Sequence, residues 1–225
     1  MLCAKNYEDN TFSFTKTQID FLCNLLNTKN PKNILEYWCW VTTKILNDYV
    51  KTDSMANYIS IEHDKKYKLN DHVHIFKLVD DPNIKSNLYE WLEYYIQSLD
   101  KKFDFIIIDG PFWWDLKYNY TRLQMIDPIL YDKLADEWFI LIHDSQREST
   151  IKSIEILKTL LILKWYYIII DYISYDEEKE LMIIEFSKKN WLKDERIKFN
   201  RKFTKRKRQK FLYKIINYIK NFIRF

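Results

Sequence analysis

The sequence predicts an α/β fold: a mostly parallel sheet ending in an antiparallel hairpin, with helices on both faces. Three observations carry this. Short, nearly continuous apolar runs recur along the chain, segments of helical spacing lie between them, and a polar residue follows each run directly. Runs of this kind suit strands covered on both faces, as in a parallel sheet. Helices that alternate with such strands make a layered α/β domain.

The first predicted strand is Asn33 to Tyr37, followed by the helical "TTKILNDYV". Strands at Tyr58 to Ile61 and Val73 to Leu78 flank "DKKYKLN", which has helical spacing. "SNLYEWLEYYIQSL" then predicts a helix leading to the strand Phe103 to Ile108. "TRLQMIDPILYDKLA" reads as a helix kinked or interrupted by Pro128, and Trp138 to Ile142 as the fifth strand. A longer amphipathic helix, "RESTIKSIEILKTLLIL", precedes "KWYYIIIDYIS" and "KELMIIEFS", whose acidic connection "YDEEK" marks a closing hairpin. The expected organisation is one α/β domain over residues 1–187 and a basic amphipathic tail over 188–225.

Composition bounds the function. With 225 residues, 47% of them hydrophobic, the chain can bury one sizeable core. Cys3, Cys23 and Cys39 are odd in number and form no C-x-x-C pair, which argues against a disulfide framework or zinc knuckle and for a reducing cytoplasm. No basic segment followed by an apolar run opens the chain, and no run reaches the roughly 18 apolar residues of a membrane span. The charge is uneven: from Lys188 onward, 15 Lys and Arg face only Asp194 and Glu195. That net +13, set against +4 for the whole chain, leaves −9 on the first 187 residues.

In open α/β sheets, ligands sit beyond the carboxyl ends of the strands. The residues there are Glu36, Glu62 with His63, Asp80 with Asp81, Asp109 with Gly110, and His143 with Asp144. Any one of these acids would serve equally as a helix N-cap. Together they mark one rim as the candidate site.

Over roughly residues 15–187 these motifs resemble the class I S-adenosylmethionine-dependent methyltransferases. "ILEYWCWVTT" is similar to the first cofactor motif, E-x-G-x-G followed by a Ser/Thr pair, with Glu36, Thr42 and Thr43 in place and Trp38 and Trp40 where the glycines belong. "YISIEHD" is similar to the second-strand motif, in which Glu62 would accept hydrogen bonds from the ribose hydroxyls. "FDFIIIDGP" with "TRLQ", and "FILIHDSQR", resemble the fourth- and fifth-strand motifs of O-methyltransferases that include enzymes acting on sugars. The resemblance implies a Rossmann-like, seven-stranded methyltransferase sandwich that binds S-adenosylmethionine through Glu36, Trp38, Trp40, Thr42, Glu62, His63, Asp80 and Asp109. It also implies a sugar or other small-molecule hydroxyl as acceptor.

Methyl transfer from a sulfonium asks a protein to position the acceptor and remove its proton. Two routes are open. His143 is the candidate base; alternatively Asp109 and Asp144 hold Mg2+ or Mn2+, for which oxygen ligands are suited. Asp109, His143 and Asp144 are therefore the catalytic candidates, although Asp109 could equally just order the DGP turn. Arg122 could pair with an acidic acceptor or with a surface acid such as Asp127. Trp113, in "PFWWDLKYNY", could stack on a sugar ring or serve packing alone. His72 and His74 read as a solvated strand entry rather than a metal pair.

In the tail, Phe211, Leu212, Ile215, Ile216, Ile219, Phe222 and Ile223 share one helical face, with Lys214, Lys220 and Arg224 opposite. A basic amphipathic helix fits an anionic membrane surface and would place the protein peripherally on the inner face of a membrane. Nucleic acid is the weaker rival, because the apolar face is of no use to a phosphate backbone. A helix packed back on the domain would also satisfy the pattern.

The tryptophans are the anomaly. A chain of this length carries on the order of 15 glycines at the usual ~7%, yet Gly110 stands alone beside eight Trp. Taken literally, indoles at positions 38 and 40 would obstruct the cofactor, and the chain would be a non-catalytic scaffold. Some lineages, however, read the codon UGA as glycine, and translating such a gene with UGA as tryptophan would produce this pattern. Trp38, Trp40, one of Trp113 and Trp114, Trp138 and Trp165 stand at glycine-like places. An AT-rich genome alone would explain scarce glycine but not the surplus of tryptophan.

Overall fold

The structure is a computed structural model that describes residues 7, 14–38, 40–83, 86–110, 121–176 and 179–188. Trp113 and the tail expectations fall outside these residues. The described chain is a Rossmann-like α/β fold. Its main sheet runs in the order β3-β2-β1-β6-β7-β9-β8, from strands β1 (Asn33–Tyr37), β2 (Asn57–Glu62), β3 (Val73–Ile75), β6 (Phe103–Ile108), β7 (Leu134–His143), β8 (Tyr166–Asp176) and β9 (Lys179–Lys188). Pairing is parallel from β3 through β7, and β9 is antiparallel to both β7 and β8.

The reversal of chain order falls beside β1, whose neighbours are β2 and β6. That switch point is where a ligand crevice opens in such sheets. Helix α1 (Lys16–Lys29) precedes β1 and was not expected from periodicity. Its start is nevertheless written locally: the Thr15 hydroxyl accepts from the Gln18 amide, and the Gln18 side chain accepts from the Thr15 amide. This reciprocal cap satisfies two of the donors that a helix start leaves open. Asn30 closes the helix in the left-handed conformation.

Side-chain alternation along the strands sorts the core. Ile34, Tyr58, Phe105, Ile107, Phe139 and Leu141 pack with Ile19, Leu22 and Leu26 of α1 and Ile45 and Leu46 of α2 (Val41–Thr52). Because strand side chains alternate with period two, the same series continues to Glu36, Glu62, Asp109 and His143. The apolar stripe that binds α1 and α2 thus ends in the four polar residues of the rim. On the opposite face, Ile108 and Ile142 meet Ile126, Ile154 and Leu157 around a small cavity that Arg122 also lines.

The structure corrects four expected elements. The third strand stops at Ile75, and Leu78–Asp81 forms β4, a hairpin with β5 (Ser86–Tyr89) outside the main sheet. Helix α3 is consequently only Leu92–Ser98. The segment around Pro128 is two short helices, α4 (Thr121–Gln124) and α5 (Asp127–Leu130), and β7 begins already at Leu134. Pro128 starts α5 rather than kinking a helix, since an N-terminal turn has no use for the N–H that proline lacks. "DKKYKLN" contributes only a 3-10 turn, Lys65–Tyr67, whereas α6 (Glu148–Leu163) runs as expected.

Candidate functional site

Glu36 ends the β1 series fully buried. Thr43, in the first turn of α2, donates its hydroxyl to Glu36 Oε2 at 2.7 Å, and Ser60 of β2 donates to the same oxygen. Ser60 faces Glu36 because the two are register partners in the parallel ladder. Thr42 is buried in the same helical turn. Burial pushes the Glu36 carboxyl up to about 7 despite the hydroxyls of Ser60, Thr42 and Thr43, which pull it down. Its Oε1 is buried with no partner among the described residues.

Glu62 ends the β2 series, also fully buried. Its Oε1 accepts from the backbone amides of His63 at 2.6 Å and Asp64 at 3.0 Å and lies 2.7 Å from His63 Nδ1. The strand-end turn folds back so that its own amides fix the carboxylate.

His143 stands between two carboxylates. Its Nδ1 lies 2.8 Å from Asp109 Oδ1 and 3.3 Å from Asp144 Oδ2, and Phe14 stacks on its ring at 4.7 Å. Burial alone would lower the imidazole's pKa, but Asp109 and Asp144 outweigh it and raise it to about 9. Asp144 is likewise pushed up by burial, yet pairing with His143 and then Arg147 brings it below the usual carboxylate range. Arg147 is ion-paired with Asp144 one turn on.

Two chemical consequences bear on the expected base and metal routes. The two carboxylates favour the charged imidazole, and in that form His143 is a charge partner rather than a ready base. His143 Nδ1 itself lies between Asp109 and Asp144, the pair expected to hold Mg2+ or Mn2+. Among the described residues, no group of three or more His, Cys, Asp or Glu is placed to hold a metal.

Arg122 is buried beneath this rim instead of facing an acceptor. It donates to the carbonyls of His143 at 3.1 Å and Asp109 at 3.2 Å and to the Thr150 hydroxyl at 2.8 Å. It thereby clamps the ends of β6 and β7 from the opposite face. Asp80 is exposed on the β4–β5 hairpin, opposite Asn87, and not at the end of a main-sheet strand.

Trp38 and Trp40 part company. Trp40 is half-buried, leans on the core beneath α2 and lies 4.8 Å from the Tyr67 ring. Trp38 turns into the rim: it is 6% exposed, its ring is 4.7 Å from that of His63, and a Cβ on Gly110 would stand 2.2 Å from the indole. One indole therefore fills the crevice between the ends of β1, β2 and β6. Sequence reasoning missed Ser60, Phe14 and Arg147. Ser60 is visible only through strand register, and Phe14 only through a stacking contact 129 positions away; Arg147 could have been found at i+3 from Asp144.

No family model and no curated protein sequence matches the chain. Solved structures do resemble it in fold. An O-methyltransferase from Bacillus cereus in complex with S-adenosylhomocysteine (SAH) matches over 82% of this chain and 86% of its own, at 16% identity and a TM-score of 0.52. The O-methyltransferase TomG from Streptomyces achromogenes, involved in tomaymycin synthesis and bound to S-adenosylmethionine (SAM), covers 78% and 82% at 9% identity with a TM-score of 0.54. Cofactor-bound Rv0187 from MTB matches over 83% and 87% at 12% identity, with a TM-score of 0.51. At these identities the likeness is one of fold, and the fold is that of SAM-dependent O-methyltransferases.

A cofactor of that kind meets a mixed donor set here. The buried Glu36 Oε1 without a partner is the sort of group a ligand donor satisfies, and Glu62 holds the matching place on β2. Trp38 does not fit, because its indole already lies against Gly110 and His63.

Proposed function

We propose that this chain is an S-adenosylmethionine-dependent O-methyltransferase acting on a small-molecule hydroxyl, that of a sugar by preference. The observation that carries the reading is the convergence of Glu36, Glu62, Asp109 and His143 on one face, at the carboxyl ends of four adjacent parallel strands. Packing alone does not call for four such groups at the end of an apolar stripe, whereas a nucleoside with an amino-acid arm does. In this reading Glu62 accepts from the ribose hydroxyls, Glu36 with Thr42 faces the amino-acid arm, and Asp109, braced by His143 and Asp144, borders the acceptor. With tryptophan at position 38 the crevice does not admit the cofactor, so no catalytic step is assigned to that form.

The filled crevice favours one second reading, a non-catalytic scaffold with a methyltransferase-like fold. Calorimetric titration of SAH into the Trp38→Gly, Trp40→Gly variant separates the two. Micromolar binding, followed by methyl transfer to a hydroxyl acceptor, is the expected result; a folded variant that binds nothing leaves the scaffold.

A further inference from the structure

We propose that positions 38, 91 and 165 are glycine in the protein its own cell makes, the tryptophans written there being UGA codons decoded as glycine. Among the described residues, six that are not glycine have positive φ: Asn30, Trp38, Trp91, Asp132, Asp144 and Trp165. Three are Asn or Asp, whose short polar side chains tolerate the left-handed region. The other three are all tryptophan. Nothing in an indole favours that backbone, and among the described residues no Tyr, Phe, Leu, Ile or Lys takes such a place. Glycine adopts it without steric cost.

Each position has its own reason for the turn. Position 165, with φ 66°, follows the Lys164 cap of α6, where helices end in left-handed glycine. Position 91, with φ 64°, is the cap that opens α3 after the β4–β5 hairpin. Both indoles are 65% exposed, so burial does little to offset the strained backbone. Position 38, with φ 78°, leaves β1 while its amide still donates to the Ile61 carbonyl at 2.9 Å, which fixes the turn irrespective of side chain. This backbone criterion is independent of any motif. It adds position 91 and makes no demand at Trp40, whose φ of −161° is extended, or at Trp138 within β7.

The consequence for position 38 rests on the proposed methyltransferase reading: glycine there removes the indole lying on Gly110 and His63 and opens the crevice. The assignment of glycine does not depend on it, and the tests keep the two apart. Mass spectrometry of peptides from the natively produced protein should read glycine at 38, 91 and 165, and the gene should carry UGA at each. Tryptophan in those peptides, or UGG codons, overturns the proposal. In recombinant protein, Trp91→Gly with Trp165→Gly should raise the melting temperature by about 2–4 °C or more, as relief of left-handed strain requires in a chain of this size; a lowered value counts against it. SAH titrated into Trp38→Gly should bind where the tryptophan form gives no measurable heat, and equal binding by both forms overturns the blocked crevice. Glycine in the native peptides with no binding by either Trp38→Gly or the Trp38→Gly, Trp40→Gly variant upholds the glycine assignment and removes the methyltransferase reading.

Discussion

A fully buried carboxyl group with hydroxyl donors but no adjacent cation, as Glu36 is, holds its proton more tightly in the folded chain than in the unfolded one. With its pKa raised from 4.5 to about 7 by burial, its ionisation takes about 3 kcal/mol from stability. The folded state binds the extra proton, so this loss is absent below pH 4.5, develops as pH rises towards 7 and is constant above. Glu36→Gln should remove that slope and be the more stable form at pH 8; chemical denaturation across pH 4 to 8 that shows the same decline in both proteins would contradict it. His143 acts in a higher window. Its folded pKa of about 9 exceeds the ordinary 6.5, so its pairing stabilises fully below 6.5 and is lost as pH rises through 9. His143→Asn should abolish that second decline, and a decline that persists would show that the pairing does not govern it. On the ligand side, Glu62→Ala in a Trp38→Gly background should weaken SAH binding by about 1.5–3 kcal/mol for each lost charged hydrogen bond. Unchanged affinity would move the ribose site elsewhere. Glu36, Glu62, Asp109 and His143 were all legible as residues following apolar runs. The charge preference of His143 was not, because it depends on burial and on the approach of Asp109 and Asp144, which only the folded chain defines.

At the scale of elements, the rim depends on how β6 and β7 end together. Arg122 reaches from α4 to the carbonyls of His143, which ends β7, and of Asp109, which directly follows β6. Arg122→Met keeps the apolar stem and deletes the donors, leaving buried carbonyls without these bonds and two carboxylates short of a cation. Losses of roughly 2–5 kcal/mol are expected from such a deletion. The midpoint of urea unfolding reads this directly, and a change under about 0.5 kcal/mol, typical of surface substitutions, would show that Arg122 is no clamp. The sequence located this arginine but left it between an acidic acceptor and a surface acid, since nothing local tells a buried guanidinium from an exposed one. The strands Asn33–Tyr37 and Phe103–Ile108 were legible to the residue because both lie mid-sheet and are predominantly apolar, with Glu36 and Asp104 the acidic exceptions. The third strand was misjudged for the opposite reason: "VHIFKLVDD" holds two short strands, and the break at Phe76 comes from pairing with different partners, not from composition.

The whole molecule is electrostatically divided. The last described strand ends at Lys188, and the charge changes sign there: the segment from Lys188 carries +13 against −9 on the first 187 residues. Among the described residues no helix is long and apolar enough to cross a membrane; the composition of the tail is the feature that suits a membrane surface. A helix with seven apolar side chains on one face and basic residues opposite gains from burying that face at the headgroup boundary. Each basic residue near an anionic surface adds about 1 kcal/mol, screened beyond a Debye length. Deleting residues 189–225 should therefore leave the unfolding transition of the α/β domain in place while abolishing co-sedimentation with phosphatidylserine vesicles, and the full chain's binding should weaken as salt is raised. Vesicle binding retained by the truncated protein would refute the assignment, as the remaining body is acidic and repelled by such a surface. A full chain that prefers single-stranded RNA to vesicles at physiological salt would instead assign the tail to phosphate neutralisation, and its seven-residue apolar face would then have to pack elsewhere.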